Sequence, residues 1–174
     1  MPIECRLIQL TGPEVSALRT APQSLPAVVE GATIYSGLYR YWHAIDHLLR
    51  RSGPAGAAAA PLALGESLPT ADDSTPAPRL LTPAQAASAS AVYQAIEPDA
   101  LAPFYDAAEL DEAAVYPATW VEWEETFDPL GQVLEYYSYL QYFARDRAKA
   151  GDGMLLYFVF IHDGTDDATD DDDD

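Results

Sequence analysis

The order of apolar and polar residues divides this chain into strands and helices of distinct character. Cys5–Gln9 sits inside an apolar stretch, Ile3 to Leu10, and predicts a first strand. Thr11-Gly12-Pro13-Glu14 then fits a capping box, with Thr11 as N-cap, and opens a short helix ending near Thr20. Residues 21–37 carry two prolines and two glycines and are expected to be loop with a short helical turn. Leu38 to Arg51 predicts an amphipathic helix, with Leu38, Trp42, Ile45 and Leu49 on one stripe and Tyr41 and Leu48 beside it. Residues 52–78 are rich in Ala, Pro, Gly and Ser, so a loop is expected, with Pro61–Leu64 as its one candidate strand.

The second half is more sharply punctuated. Thr82-Pro83-Ala84-Gln85 is another capping box and starts a helix to about Ile96. Pro98 begins a short helix through Phe104, and Asp106 caps a third that ends before Tyr116-Pro117. Asp128-Pro129 opens the longest helix, to about Ala150, and Gly151–Gly153 is a turn. The closing run Met154–Ile161 is apolar on both faces, as a strand covered by helices must be. The expected fold is α+β: a single domain over 1–162, a small mixed sheet holding the first and last strands as neighbours, and about six covering helices. Trp42, Ile45, Leu49, Leu134, Tyr137, Leu140, Leu156 and Phe158 are its expected core. Residues 163–174 are too polar to fold and predict a disordered acidic tail.

A set of short matches gives the domain a family likeness. Leu80-Leu81-Thr82-Pro83, Ala95-Ile96, Phe104-Tyr105-Asp106, Ala113–Pro117, Trp120, Glu135-Tyr136-Tyr137 and Gly153–Tyr157 carry it, with Trp42-His43 and Leu48-Leu49. In these the chain resembles the YfbM-like bacterial proteins, domain of unknown function 1877. The resemblance spans nearly the whole chain and is strongest from 80 to 158. It implies an α+β fold and a bacterial, cytoplasmic origin, and it transfers no catalytic residue.

Charge narrows the partners. The chain has 174 residues and a net charge of −19. Eight of its 28 acids follow His162, and the other 20 against nine bases leave the body at −11. Such a surface repels nucleic acid and anionic membrane and favours a basic protein partner. The apolar fraction of 49%, with 5 Phe, 11 Tyr and 3 Trp, suffices for a packed core. The lone cysteine, Cys5, lies in the first strand and is expected to be a buried, inert thiol. Met1–Glu4 lacks the start of a signal peptide, and the longest apolar run is too short to cross a bilayer as a helix, so a cytoplasmic protein is expected.

Candidate chemistry is sparse. His43 and His47 lie one turn apart, since a helix turns about 100° per residue, and face away from the apolar stripe. With Asp46 they could share a metal or line a pocket, although Arg50 and Arg51 would oppose a cation and a half-exposed polar face explains them equally. Trp120 and Trp123 alternate with Glu122, Glu124 and Glu125, which suits a cationic ligand as well as a loop anchored on the core. Tyr136, Tyr139, Tyr142 and Phe143 widen the apolar face of the long helix, for core packing or for an interface in a monomer or homodimer. The dinucleotide fingerprint, the phosphate loop, the Gly-x-Ser-x-Gly elbow and Cys-x-x-Cys are all missing from the sequence, and no catalytic residue, metal or cofactor is assigned. The favoured class is a protein-binding, regulatory domain, a toxin-neutralising protein being one form of it. The alternative is a small-molecule or metal-binding enzyme with a pocket near His43, His47, Tyr116 and Trp120. Candidate binding residues are thus His43, Asp46, His47, Tyr116, Trp120, Trp123 and Glu124.

Overall fold

A computed structural model describes residues 2–32, 35–69 and 74–161. The sequence-predicted acidic tail lies outside them. The fold is α+β, built on a five-stranded sheet in the order β2-β1-β5-β4-β3. β1 (Ile3–Leu10) and β5 (Gly153–Phe160) are direct neighbours, in register from Ile3 opposite Phe160 to Leu10 opposite Gly153. β2 (Tyr35–Tyr39) flanks β1, while β4 (Arg79–Leu81) and β3 (Glu66–Ser67) extend the other side. All four strand contacts are antiparallel, which corrects the mixed sheet expected from sequence. Apolar alternation marks a strand but not its direction, which depends on how the intervening helices return the chain.

Side chains on the two faces of β1 and β5 enter two cores. Cys5, Leu7, Met154, Leu156 and Phe158 pack in the larger one, together with residues of α3 (Trp42–Arg51), α5 (Pro83–Ala95) and α8 (Pro129–Ala150). Ile8, Leu10 and Leu155 pack in the smaller one, with Val15 and Leu18 of α1 (Gly12–Thr20) and Leu25 of α2 (Leu25–Glu30). Burial on both faces explains why Met154–Phe160 is apolar without alternation. Of the expected core, seven side chains are buried, and Leu134 is half-buried against the larger cluster.

The helix starts written in the sequence are made as expected. Thr11 with Glu14 and Thr82 with Gln85 form complete capping boxes, and Asp106 and Asp128 cap α6 (Ala107–Glu112) and α8. Gly151 ends α8 in the left-handed region at φ 73°. α8 in turn finishes α5: Gln141 Nε2 donates to the carbonyls of Tyr93 and Ile96 at 2.7 and 2.9 Å, and the Tyr137 hydroxyl donates to the same two at 3.3 Å. The last turn of α5 leaves carbonyls short of helical partners, the Tyr93 carbonyl taking only the Ile96 N–H at 3.3 Å from its own helix, so buried Tyr137 and half-buried Gln141 of α8 are spent on satisfying them.

Several expectations, most of them in the first half, need correction. Residues 21–37 hold a 3-10 turn (Pro22–Ser24), α2 and most of β2, because Pro26 falls in the first turn of α2, where proline is tolerated. The third helix begins at Trp42, not Leu38: Leu38 belongs to β2, and Tyr39 at φ 49° breaks the chain before the helix. Pro61–Leu64 is a turn closed by bonds from Ala63 and Leu64 to the Ala60 carbonyl. The alanine run before it forms α4 (Pro54–Ala59), whose Ala59 carbonyl accepts from the Tyr93 hydroxyl at 2.7 Å. Finally, Trp120–Glu124 is a short helix, α7, so the described residues hold eight α-helices and two 3-10 stretches, not about six helices. No helix among the described residues is long and apolar enough to cross a membrane.

Candidate functional site

His43 and Tyr116 meet. The Tyr116 backbone N–H donates to His43 Nδ1 at 2.9 Å, which requires an unprotonated Nδ1. Trp42 stacks on both rings, 4.9 Å from His43 and 5.9 Å from Tyr116, and meets Phe158 edge-on. The Tyr116 hydroxyl accepts from the Ile3 N–H at 2.6 Å, while Trp42 Nε1 donates to the Ile3 carbonyl at 3.2 Å. The set clamps the cis Tyr116-Pro117 turn and the start of β1 onto α3. Burial, the largest influence, pushes the His43 pKa below its usual 6.5, and His47 and Arg50 add to the effect against Asp46.

That direction fixes a pH response. The unfolded imidazole takes up its proton before the folded one does, so the contribution of His43 to stability is full above the ordinary value. It declines as pH falls through 6.5 toward the lowered folded value. His43→Gln keeps an acceptor for Tyr116 and removes the titration. Between about pH 7.5 and 5.5, the urea midpoint of the parent should therefore fall further than that of His43→Gln. Equal falls would show that His43 is not held neutral by the fold.

Asp46 and His47 point elsewhere. Asp46 is buried at 3% exposure and accepts from Arg50 Nε at 2.6 Å and from the Leu62 N–H at 2.7 Å, tying α3 to the turn after α4. His47 faces Glu109 of α6 at 3.6 Å, and Arg51 pairs with the same carboxylate. Burial and then Arg51 push the His47 pKa down. Among the described residues no group of three or more His, Cys, Asp or Glu side chains is disposed to hold a metal.

The tryptophans form a separate set. Trp120 is fully buried; its Nε1 donates to the Val115 carbonyl at 2.7 Å. Thr119 precedes α7 without a side-chain cap, and Asp111 of α6 serves instead, accepting from the Trp120 and Val121 N–H groups at 2.8 and 3.1 Å. Sequence reasoning missed Asp111, since the cap comes from outside the local window. Trp123 packs on Trp120 at 5.1 Å and reaches the surface half-buried; Glu124 is exposed. Four surface clefts formed by described residues are lined by none of His43, Asp46, His47, Tyr116 or Trp120.

One of those clefts, of about 720 Å³, is lined by four aromatic side chains, Tyr39, Tyr41, Trp123 and Phe127. Three segments distant in sequence form it: Tyr39–Tyr41 between β2 and α3, Trp123 and Phe127 at the end of α7, and Asp128–Glu135 at the start of α8. The rings touch in a continuous chain: Phe127 on Trp123 at 5.3 Å, Trp123 on Tyr41 at 6.0 Å, Tyr41 on Tyr136 at 4.9 Å. Tyr136 continues it to Tyr39 and Tyr139. Its outer members are open to solvent, with Tyr39 at 39%, Phe127 at 41% and Tyr139 at 46% exposure.

Arg40 lies in this cleft. Its guanidinium carbon is 5.4 Å from the Tyr39 ring and 5.4 Å from the Trp123 ring, and it makes no ion pair or hydrogen bond with the described residues. Two carboxylates share the lining. Asp128 Oδ1 accepts from the Gly131 N–H at 2.9 Å, and Glu135 Oε1 accepts from the Tyr139 hydroxyl at 2.9 Å. Each keeps further lone pairs free for a donor from outside. Burial raises the Tyr41 phenol pKa, while Arg40 opposes the shift. Of the sequence-named candidates, Trp123 alone lines the cleft. Tyr39, Arg40 and Phe127 were missed; the tyrosine flank of α8 was the available signal.

Comparison with known proteins agrees with the fold. Residues 1–157 match the family described as Domain of unknown function (DUF1877). No curated protein matches the chain. Among solved structures, the crystal structure of YfbM from Escherichia coli, a protein of unknown function, is similar at 15% identity and a TM-score of 0.68. The match covers 90% of this chain and 99% of that one. The chain belongs to the DUF1877 family.

Proposed function

We propose that this protein is a regulatory binding module that docks a basic segment of a partner protein on the Tyr39–Trp123–Phe127 cleft. One observation carries the reading: an unbroken chain of rings runs from the core to the surface and ends around an arginine that makes no ion pair or hydrogen bond with the described residues. Tyrosine, tryptophan and arginine are the side chains that dominate binding energy at the centres of protein interfaces. The partner is basic because the chain carries −19 and the cleft itself presents Asp128 and Glu135. Neutralisation of a cationic toxin is one regulatory role of this kind. A pocket at His43, His47, Tyr116 and Trp120 has less support, because these groups spend their polar atoms on contacts within the fold.

Capture from a native lysate on immobilised parent protein, on Phe127→Ala and on Tyr142→Ala tests the proposal. Both positions are exposed, at 41% and 60%, so neither change threatens folding, and only Phe127 lines the cleft. The expected result is a basic protein retained at low salt by the parent and by Tyr142→Ala and lost from Phe127→Ala. A partner retained equally by all three would place binding elsewhere, and the proposal would be withdrawn.

A further inference from the structure

We infer that the cleft is a guanidinium site and that, in the unbound protein, Arg40 fills it with this chain's own guanidinium until an arginine of the partner takes its place. The inference rests on the binding reading above and adds the chemistry of what is bound. Three features carry it. Arg40 is equidistant from the Tyr39 and Trp123 rings at 5.4 Å, so the gap between these rings already accommodates a guanidinium plane. No carboxylate or carbonyl of the described residues holds Arg40 there, so ring contact alone keeps it in place. Asp128 and Glu135 lie in the same lining with lone pairs to spare, and either carboxylate can receive the fork of an incoming arginine while Arg40 swings to water.

The opposite role for Arg40, an anchor for an incoming carboxylate, fits the same cleft poorly. Such a ligand would meet Asp128 and Glu135 at close range and a chain of −19 on approach. Lysine would be a weaker occupant than arginine, since its ammonium cannot stack as a plane on the rings or present a fork to two oxygens.

Fluorescence anisotropy with two labelled probes, nona-arginine and nona-lysine, decides the matter. The proteins are the parent, Arg40→Ala, Phe127→Ala and Arg19→Ala. Arg19 lies on α1 and pairs with Glu66, so its loss changes net charge equally without touching the cleft. Arg40→Ala is expected to bind nona-arginine at least about threefold tighter than Arg19→Ala does, with no such gain for nona-lysine. Phe127→Ala is expected to lose the parent's preference for nona-arginine. If Arg40→Ala binds nona-arginine no better than Arg19→Ala, self-occupation is wrong, and binding weaker than the parent would make Arg40 an anchor instead. If Phe127→Ala leaves both affinities unchanged, the cleft itself is not the binding surface, and the proposed function fails with it.

Discussion

Trp120→Ala is expected to remove about 3–5 kcal/mol of stability, the range for deleting a fully buried tryptophan. Trp120 is the largest fully buried side chain, and it touches Tyr41, Tyr105 and Trp123. Its loss opens a cavity beneath the cleft and removes the 2.7 Å bond from Nε1 to the Val115 carbonyl, which keeps only the Ala118 N–H at 2.8 Å. Trp120→Phe refills much of the volume but cannot donate, so its expected cost is smaller, about 1–3 kcal/mol. Urea denaturation of the three proteins measures both. A cost under about 1 kcal/mol for the alanine variant would mean that α7 is not seated through this ring.

Asp46→Ala carries the second large effect. The carboxylate is 3% exposed, and its two firm partners differ in kind. Arg50 is roughly half exposed and can turn to water, so its pairing contributes modestly. The Leu62 N–H cannot move away, and without Asp46 it is left unmet beside the core. The expected loss is therefore about 2–3 kcal/mol, set mostly by the backbone bond. Asp46→Asn retains an acceptor oxygen and should cost less than Asp46→Ala, whereas Arg50→Ala should cost least. An Arg50→Ala variant as unstable as Asp46→Ala would reverse that ranking and make the ion pair the dominant contact.

What the sequence made legible follows from how local each signal is. Thr11 with Glu14, Thr82 with Gln85, Asp128 with Pro129, and Gly151 each act within a few residues, and all of them start or stop a helix as expected. The β1–β5 pairing was legible because Met154–Phe160 is apolar on both faces and demands a covered, central place. β2 was hidden. Its Gly37 reads as a loop signal, yet it pairs with Arg6 inside the sheet, and a Cβ there would crowd only the movable end of the Glu4 side chain. α4 was hidden because Pro54 and Gly56 weaken a helix signal. In the fold Pro54 occupies the first turn, and Gly56 lets α4 approach the end of α3.

The cleft was the least legible part. Tyr39–Tyr41, Trp123–Phe127 and Asp128–Glu135 meet only after the sheet and α8 are assembled, and no spacing rule connects them. Trp123 was identified for its ring beside glutamates, which is the part of the pattern that lies within one short segment. His43 and His47 were identified for lying off the apolar stripe. Their partners, the Tyr116 backbone and Glu109, come from segments about 60 to 70 residues away, beyond what helical periodicity can report.

The indole N–H signals give the most direct test of where ligands dock. Trp42 and Trp120 donate theirs to the carbonyls of Ile3 and Val115, and Trp123 donates to none of the described residues. In a 15N–1H spectrum titrated with nona-arginine, the Trp123 indole signal should shift progressively while those of Trp42 and Trp120 stay in place. A Trp42 signal that moves while Trp123 holds still would contradict the aromatic cleft and put the ligand beside His43 and Tyr116.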